Sequence, residues 1–202
     1  MKTIPALLAL VGLLSTLCAA ADADSTAARS SAVKDNLEVT RLYDEDQADR
    51  EPKDNKPIDW HVVEPKDEAR RKRIMELYVA GELKTGGDYF HAGMILQHGK
   101  TPEDYLLCHE LCVAAVFKSG GDEKPDWLSS AKWLAAASED RFLVHIGRAQ
   151  RFGTQYGKEG ANSPWRLNKM EEGVTDELRK AWNVPSLAQA KEHEAEMNKK
   201  ER

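Results

Sequence analysis

The chain has 202 residues, of which 34 are acidic and 29 basic, so its formal net charge is −5. An acidic chain argues against a nucleic-acid partner, because phosphate binding needs a positive field. The length is enough for a single domain with a buried core, and the chain contains only three cysteines.

The amino terminus has the pattern of a secretory signal peptide. Lys2 precedes an apolar run that ends in small residues before Ala21, and this run is shorter than the roughly 20 residues of a membrane-spanning helix. We therefore expect residues 1 to 21 to be removed and the protein to be exported, either to the periplasm or by secretion. No stable membrane insertion is expected after cleavage. Residues 22 to 36 contain no large apolar side chain other than Val33, which predicts a disordered leader.

Residues 37 to 202 are predicted to form a single α-helical domain. Apolar spacing and capping residues predict helices over residues 37–51, 66–80, 88–97, 103–118, 127–146, 175–182 and 187–199. A short strand or turn is expected at residues 165–167. The predicted fold class is mainly α, a compact array of about six or seven helices that pack as antiparallel hairpins.

Two details of the second predicted helix depend on its prolines and its charged face. Prolines at positions 52, 57 and 65 predict that residues 52 to 65 form an extended strap in which Ile58, Trp60 and Val62 alternate. The helix is then expected to begin at Lys66, with Arg70 on its solvent-facing side.

The densest group of hydrogen-bonding side chains follows the most apolar predicted helix, around residues 139 to 155. Neutral amides and a hydroxyl beside fixed cations such as Arg148 and Arg151 are typical of a surface that binds a protein partner or a small anionic ligand. The predicted ligand-binding residues are His98, Asp140, Arg141, Gln150, Thr154 and Gln155. The structural alternative is a loop whose polar groups satisfy helix ends and fix the direction of the chain.

Asp140 and Arg141 each need a partner of their own, because neighbouring residues in a helix point in different directions. Asp46, Asp49 and Arg50 in the first predicted helix could supply these partners as a supporting shell. The cluster would then be a buried ion-pair network that ties the first helix to the core. Exposure of the side chains decides between buried network and open site.

Histidines suggest a hydrolase as an alternative function. His98 or His109 would act as general base, Asp140 or Glu110 would orient it, and Arg141 would stabilise an anion. The catalytic candidates are therefore His98, Asp140 and Arg141. We expect no metal and no cofactor, because His109-Glu110 lacks the second histidine that completes a zinc-binding helix.

Small residues and glycines punctuate residues 89 to 120. These residues are Gly93, Gly99, Cys108, the Ala114-Ala115 pair and Gly120. An Asp104-Tyr105 pair accompanies them. This segment resembles a single Sel1-type or tetratricopeptide-type helical hairpin, which implies two closely crossing helices. A third possible function is accordingly a purely structural interaction module of the cell envelope that uses the hairpin groove. Cys108 and Cys112 lie one helical turn apart, a poor disulfide geometry, and are expected to be small buried residues.

The order of four short motifs supports a second resemblance. They are residues 46 to 50, Asp-Gln-Ala-Asp-Arg; residues 95 to 99, Ile-Leu-Gln-His-Gly; Glu-Asp-Arg at 139 to 141; and the loop from Gly147 to Tyr156. In this order the chain is similar to an uncharacterised bacterial domain family with an Asp-Arg pair and a Gly-x-x-Gln-x-aromatic-Gly-Thr-Gln loop. Ala149 departs from the proline more often expected there, which makes the start of the loop less rigid. The resemblance identifies residues to test and implies no reaction.

Overall fold

A computed structural model describes residues 33–51, 57–120 and 125–200. The predicted signal peptide and most of the predicted leader lie outside the described residues. The described part contains seven helices and one two-stranded sheet, which confirms the mainly α class. The helices are α1 Leu37–Ala48, α2 Trp60–Val79, α3 Gly86–Leu96, α4 Pro102–Lys118, α5 Leu128–His145, α6 Asp176–Ala181 and α7 Leu187–Lys200, and the strands are β1 Tyr156–Gly157 and β2 Arg166–Leu167.

Side-chain caps determine where α3 and α4 begin. Thr85 accepts a hydrogen bond from the amide of Asp88, whose carboxylate accepts one from the Thr85 amide in return. Thr101 and Asp104 form the same reciprocal pair at the start of α4. Each box satisfies amides that the first helical turn leaves without partners.

The core is built around α4, which packs against α3 on one side and α5 on the other. Helices α3 and α4 approach closely at Gly93, where a Cβ atom would lie 2.8 Å from the Sγ of Cys112. Cys108 and Cys112 are fully buried and unpaired, as predicted. Contact with the Cys108 thiol and burial raise the pKa of Cys112 well above its usual value, so it is a neutral packing group.

The predicted strap before residue 66 is wrong over the residues that the structure describes. Helix α2 begins at Trp60, is capped by the Asp59 carboxylate and contains Pro65 within its second turn. Pro65 has no N–H to donate to the carbonyl of His61. The helix therefore loses this one backbone hydrogen bond near its start and continues to Val79. Trp60 and Val62 are 51% and 52% exposed, so neither belongs to the buried core.

The buried face of α2 also differs from the predicted one. It consists of Val63, Asp67, Arg70, Ile74 and Leu77, so Arg70 points inward rather than towards solvent. Burial of a guanidinium is tolerated here because Asp49 and Asp67 accept hydrogen bonds from Arg70 at 2.8 and 2.6 Å. Apolar spacing did not predict this face because two of its residues, Asp67 and Arg70, are charged.

The carboxyl-terminal helix α7 packs on the two-stranded sheet. Strands β1 and β2 pair antiparallel, with Tyr156 opposite Leu167. The Tyr156 hydroxyl donates to the carbonyl of Ala190 at 3.0 Å, and Glu194 accepts from the Leu167 amide at 2.7 Å. These bonds fix α7 beside the loop that follows α5. Among the described residues no helix is both long and apolar enough to cross a membrane.

Candidate functional site

Asp140 is the organising residue of the loop that follows α5. Its side chain is fully buried, and its two oxygens accept four hydrogen bonds from the loop. Oδ1 accepts from the amides of Arg151 and Phe152 at 2.6 and 2.9 Å, and Oδ2 from the amide and hydroxyl of Thr154 at 3.0 and 2.9 Å. A carboxylate whose acceptor sites are filled in this way holds the loop, and solvent does not reach it.

Gln150 performs the same task at the other end of the loop. It is fully buried, and its side-chain amide nitrogen donates to the carbonyls of Gln155 and Asn168, both at 2.9 Å. Its side-chain oxygen accepts from the Gln155 amide at 2.8 Å. All the hydrogen-bonding groups of this side chain are therefore satisfied by the protein.

Arg141 follows Asp140 in α5, but its side chain points in a different direction and is partly exposed. Its Nη1 donates to the backbone carbonyl of Gln97 at 2.8 Å, and its Nε lies 3.4 Å from the side-chain oxygen of Gln155. Its guanidinium carbon lies 5.4 Å from the centre of the Tyr105 ring. Its Nη2 has no acceptor among the described residues and is not buried, so solvent reaches that nitrogen.

The carboxyl end of α3 explains why cations gather here. Helix α3 ends at Leu96, and the carbonyls of the three residues that follow it lie beside the negative end of its dipole. Arg141 donates to the carbonyl of Gln97, Arg71 to that of His98 at 3.0 Å, and the Tyr105 hydroxyl to that of Gly99 at 2.7 Å. Two guanidinium groups therefore lie at adjacent carbonyls.

Ion pairing separates these arginines from the others. Seven of the ten arginines in the described residues lie within ion-pair distance of a carboxylate. Arg71, Arg141 and Arg148 have no such partner in that part of the chain. Two of these three donate to the end of α3. We call the surface formed by Arg71, Tyr105, Arg141, His145 and Gln155 the Arg141 face.

His145 completes the Arg141 face from the last turn of α5. Its ring centre lies 4.7 Å from that of Tyr105, and its Nδ1 is 2.9 Å from the carbonyl of Arg141. The side chain is exposed. Burial raises the pKa of the Tyr105 hydroxyl, opposed by the charge of Arg141, so that group remains a neutral donor.

The three predicted supporting residues bind elsewhere. Asp46, Asp49 and Arg50 do not contact Asp140 or Arg141 through any ion pair in the described residues, and pair instead with α2. Together they form what we call the α1–α2 ion network, whose members are Asp46, Asp49, Arg50, Lys66, Asp67 and Arg70. The predicted ion pairs between the first helix and Asp140 or Arg141 are thus absent from the described residues, and the ion pairs observed there join residues 46 to 50 to α2.

His98 lies between this network and the Arg141 face. Its Nε2 is 3.3 Å from the Oδ2 of the buried Asp46, although not in hydrogen-bonding geometry. Its own carbonyl accepts from Arg71. His98 therefore contributes its backbone to the Arg141 face and directs its side chain towards the α1–α2 ion network.

The predicted hydrolase groups do not come together as a dyad in the described residues. The Nδ1 of His109 lies 2.8 Å from the carbonyl of Ala135, and neither His98 nor His109 forms a hydrogen bond with Asp140 or Glu110. Within the same residues, no cluster of three His, Cys, Asp or Glu side chains is arranged to hold a metal ion. Among the described residues, neither predicted base is therefore paired with its predicted orienting carboxylate.

The predicted hairpin has two exposed large apolar side chains between residues 89 and 118, of which the first is only 39% exposed. They are Leu106 and Phe117, which is 87% exposed. They are eleven positions apart on α4, which is a sparse pattern for a docking surface.

Sequence reasoning missed Arg71, Gln97, Tyr105 and His145. A usable signal was present at the predicted end of α3, because a helix that ends in Gln-His-Gly needs donors for its last carbonyls. Which arginine supplies them depends on the tertiary packing of α2 and α5, which sequence spacing does not give.

The site residues can also be compared with those of known proteins. Comparisons of the chain with family models, with curated proteins and with solved structures gave no match. The proposed function is therefore inferred from the contacts of the residues described above.

Proposed function

We propose that the protein binds an anionic group at the Arg141 face, carried by a small ligand or by a protein partner. The observation that supports this most directly is the state of Arg141. Its guanidinium is held by neutral acceptors, while one nitrogen remains open to solvent and no carboxylate neutralises it. An arginine in this condition is ready to bind a carboxylate or a phosphate.

Preorganisation adds to the argument. A free arginine loses side-chain entropy when it binds a ligand, because its long chain must adopt one rotamer. Gln97, Gln155 and the Tyr105 ring already hold Arg141 in place, so most of that loss has occurred on folding. Arg71 is fixed in the same way by the carbonyl of His98. Binding of an anion by both guanidiniums then costs little additional order.

The buried residues of the predicted site have a positioning role in this proposal. Asp140 and Gln150 hold the loop, and the loop holds Gln155 against Arg141. Thr154 belongs to the same chain of contacts, because its hydroxyl accepts from the side chain of Gln155 at 3.0 Å. These residues act on the ligand through Arg141 and do not touch it.

The proposal is tested by titration calorimetry with inorganic phosphate and with citrate. The wild-type protein is expected to bind at least one of them saturably. Arg141→Gln shortens the side chain to a neutral amide and removes the charge, and should weaken binding about 10-fold or more, as loss of a charged hydrogen bond does.

Arg73→Gln is the matched control. Arg73 is an α2 arginine paired on the surface with Glu38 and Glu76, so its loss removes the same charge from outside the Arg141 face. Affinity should be unchanged in this variant. Equal weakening by both substitutions, or no binding by the wild-type protein, contradicts the proposal.

A further inference from the structure

A second concave surface lies on the opposite side of the loop, between the loop and α7. It encloses a cavity of about 340 Å³. We call it the aromatic cleft and define it by Trp133, Gly153, Tyr156, Pro185, Gln189 and His193. Its volume falls within the range of small-molecule sites in proteins.

The charge of its lining separates this cleft from two other cavities in the described residues. The cavity between α1 and α2 is lined by Glu45, Asp49, Lys66 and Arg70, and the one beside α4 by five charged side chains. The aromatic cleft contains no Asp, Glu, Lys or Arg. No charged side chain in the lining replaces the hydration that an ion would lose there, so the lining favours an uncharged ligand.

The walls of the cleft suit a planar ring. Trp133 is 39% exposed, so a part of its indole remains uncovered, and Pro185 and the buried Val184 add apolar surface. Aromatic rings stack or meet edge to face with an indole more favourably than aliphatic groups of equal size.

Two polar side chains on one face of α7 remain available for a ligand. Gln189 and His193 are one helical turn apart and therefore lie on the same side of the helix. The side-chain nitrogen of Gln189 and both ring nitrogens of His193 have no hydrogen-bond partner among the described residues; the His193 ring meets Tyr156 edge-on, with centres 5.4 Å apart. A hydroxyl on the ligand could donate to the imidazole and accept from the amide.

The cleft is held in shape before any ligand arrives. The Tyr156 hydroxyl donates to the Ala190 carbonyl between Gln189 and His193, and the Val184 amide donates to the Arg179 carbonyl at 2.9 Å. Arg179 is itself buried and donates to the carbonyl of Phe152 at 3.1 Å. The first bond joins β1 to α7, and the two bonds of Arg179 join α6 to the loop and to the residue before Pro185.

We infer that the aromatic cleft binds an uncharged aromatic ring that carries one hydroxyl group. This ligand class differs from the anion assigned to the Arg141 face, and the two sites share no defining residue. A free phenol and a tyrosine side chain of another protein both present such a ring, and titration with N-acetyltyrosinamide distinguishes the two sources.

The test is a titration of the ¹⁵N-labelled protein with p-cresol, followed by the indole N–H signal of Trp133 in NMR spectra. Saturable shifts of that signal are expected. Toluene lacks the hydroxyl and should bind about 3- to 10-fold more weakly, and p-toluate should bind more weakly than p-cresol because it is charged. In His193→Ala the preference for p-cresol over toluene should disappear.

Trp133→Ala removes the exposed indole and should weaken p-cresol binding about 5-fold or more, measured by ligand-detected NMR. Trp60→Ala is the matched control, because Trp60 is an exposed tryptophan that does not line the cleft. Circular dichroism establishes that both variants are folded.

N-acetyltyrosinamide presents the same ring on a peptide backbone. Binding of p-cresol alone indicates a free small molecule, and binding of both indicates a side chain of a partner; either result supports the inferred ring chemistry. Three results overturn it: no saturable shift with p-cresol, equal affinity in Trp133→Ala, or tighter binding of p-toluate than of p-cresol.

Discussion

Thr154 donates two hydrogen bonds to a single oxygen of Asp140, one from its amide and one from its hydroxyl. This relationship places a charged residue of α5 at the centre of the loop that follows it. The loop in turn separates two surfaces, the Arg141 face on the side of α3 and the aromatic cleft on the side of α7. Stability of the loop and geometry of both surfaces therefore depend on one buried carboxylate.

Replacement of Asp140 by Asn tests this dependence. Asn has the same shape but only one side-chain oxygen, so the amide and hydroxyl donors at the other position lose their acceptor. We expect the free energy of unfolding to fall by about 3 kcal/mol, as two lost hydrogen bonds to a buried charge imply, measured by urea denaturation. Glu139→Gln alters a partly exposed neighbour near Arg151 and should change stability by less than about 1 kcal/mol. Equal stability of Asp140→Asn and the wild-type protein would refute the role of Asp140.

Replacement of Gly153 by Ala tests the backbone of the loop. Gly153 has φ +80°, and an added Cβ would lie 3.3 Å from the Sδ of Met170. Strain and crowding should together lower stability by about 1 to 2 kcal/mol. Gly160→Ala is the control, since its added Cβ would approach nothing closer than 3.7 Å and its backbone is not left-handed. Thermal melts in which the two variants lose equal stability would contradict the assigned strain.

The buried imidazole of His91 makes a prediction about mild acid. Burial lowers the pKa of His91, whose ring stacks on Tyr43 with centres 4.2 Å apart. The unfolded chain therefore binds a proton more readily, and stability falls as the pH drops below the unfolded value of about 6.5. His91→Phe keeps the stacking and should lose less stability between pH 7.5 and pH 5 than the wild-type protein. His61→Phe, at an exposed position, should leave that pH dependence unchanged; thermal melts at both pH values give the comparison.

The α1–α2 ion network makes a prediction about stronger acid. Burial acts to raise the pKa of Asp67, but hydrogen bonds from Arg50 and Arg70 outweigh it and lower the pKa below its usual value. Asp67 therefore stabilises the fold above the unfolded value of about 4, and this contribution is lost as the pH falls below it.

Asp67→Asn should accordingly destabilise the protein by about 3 kcal/mol at pH 7, because two arginines lose a buried partner. The difference from the wild-type protein should shrink steadily below pH 4. Glu45→Gln, which removes an exposed pair with Arg41, should have an effect of less than about 1 kcal/mol at either pH. A deficit in Asp67→Asn that stayed constant down to pH 2 would contradict the assigned role.

The sequence predicted the helices well where local chemistry determines them. Thr85 and Thr101 each precede an acidic residue by three positions, and the predicted starts at residues 88 and 103 lie within two residues of the observed starts of α3 and α4. It failed at α2, where Pro65 suggested a boundary and the inward-facing Asp67 and Arg70 masked the apolar face. Those two residues are buried only because α1 supplies their partners, which spacing within α2 does not reveal.

The candidate site was predicted as a set of residues but not as an arrangement. Asp140, Gln150 and Gln155 do belong to one connected group, yet two of them are buried. Asp140 accepts hydrogen bonds mainly from backbone amides. Because almost every residue has such an amide, no sequence pattern predicts these bonds. The role of Arg71 could not be predicted for a related reason, since its acceptor is a backbone carbonyl just after another helix.

The central claim is that Arg141 and Arg71 form an open site for an anion, and the most direct measurement observes their side chains. Arginine Nε–H signals of the ¹⁵N-labelled protein can be followed by NMR during titration with citrate and with phosphate. We expect the signals of Arg141 and Arg71 to shift saturably with a common dissociation constant, while the chemical shift of the ion-paired Arg73 signal remains unchanged. Equal, non-saturating shifts of all arginine signals, or no shift of Arg141, would contradict it.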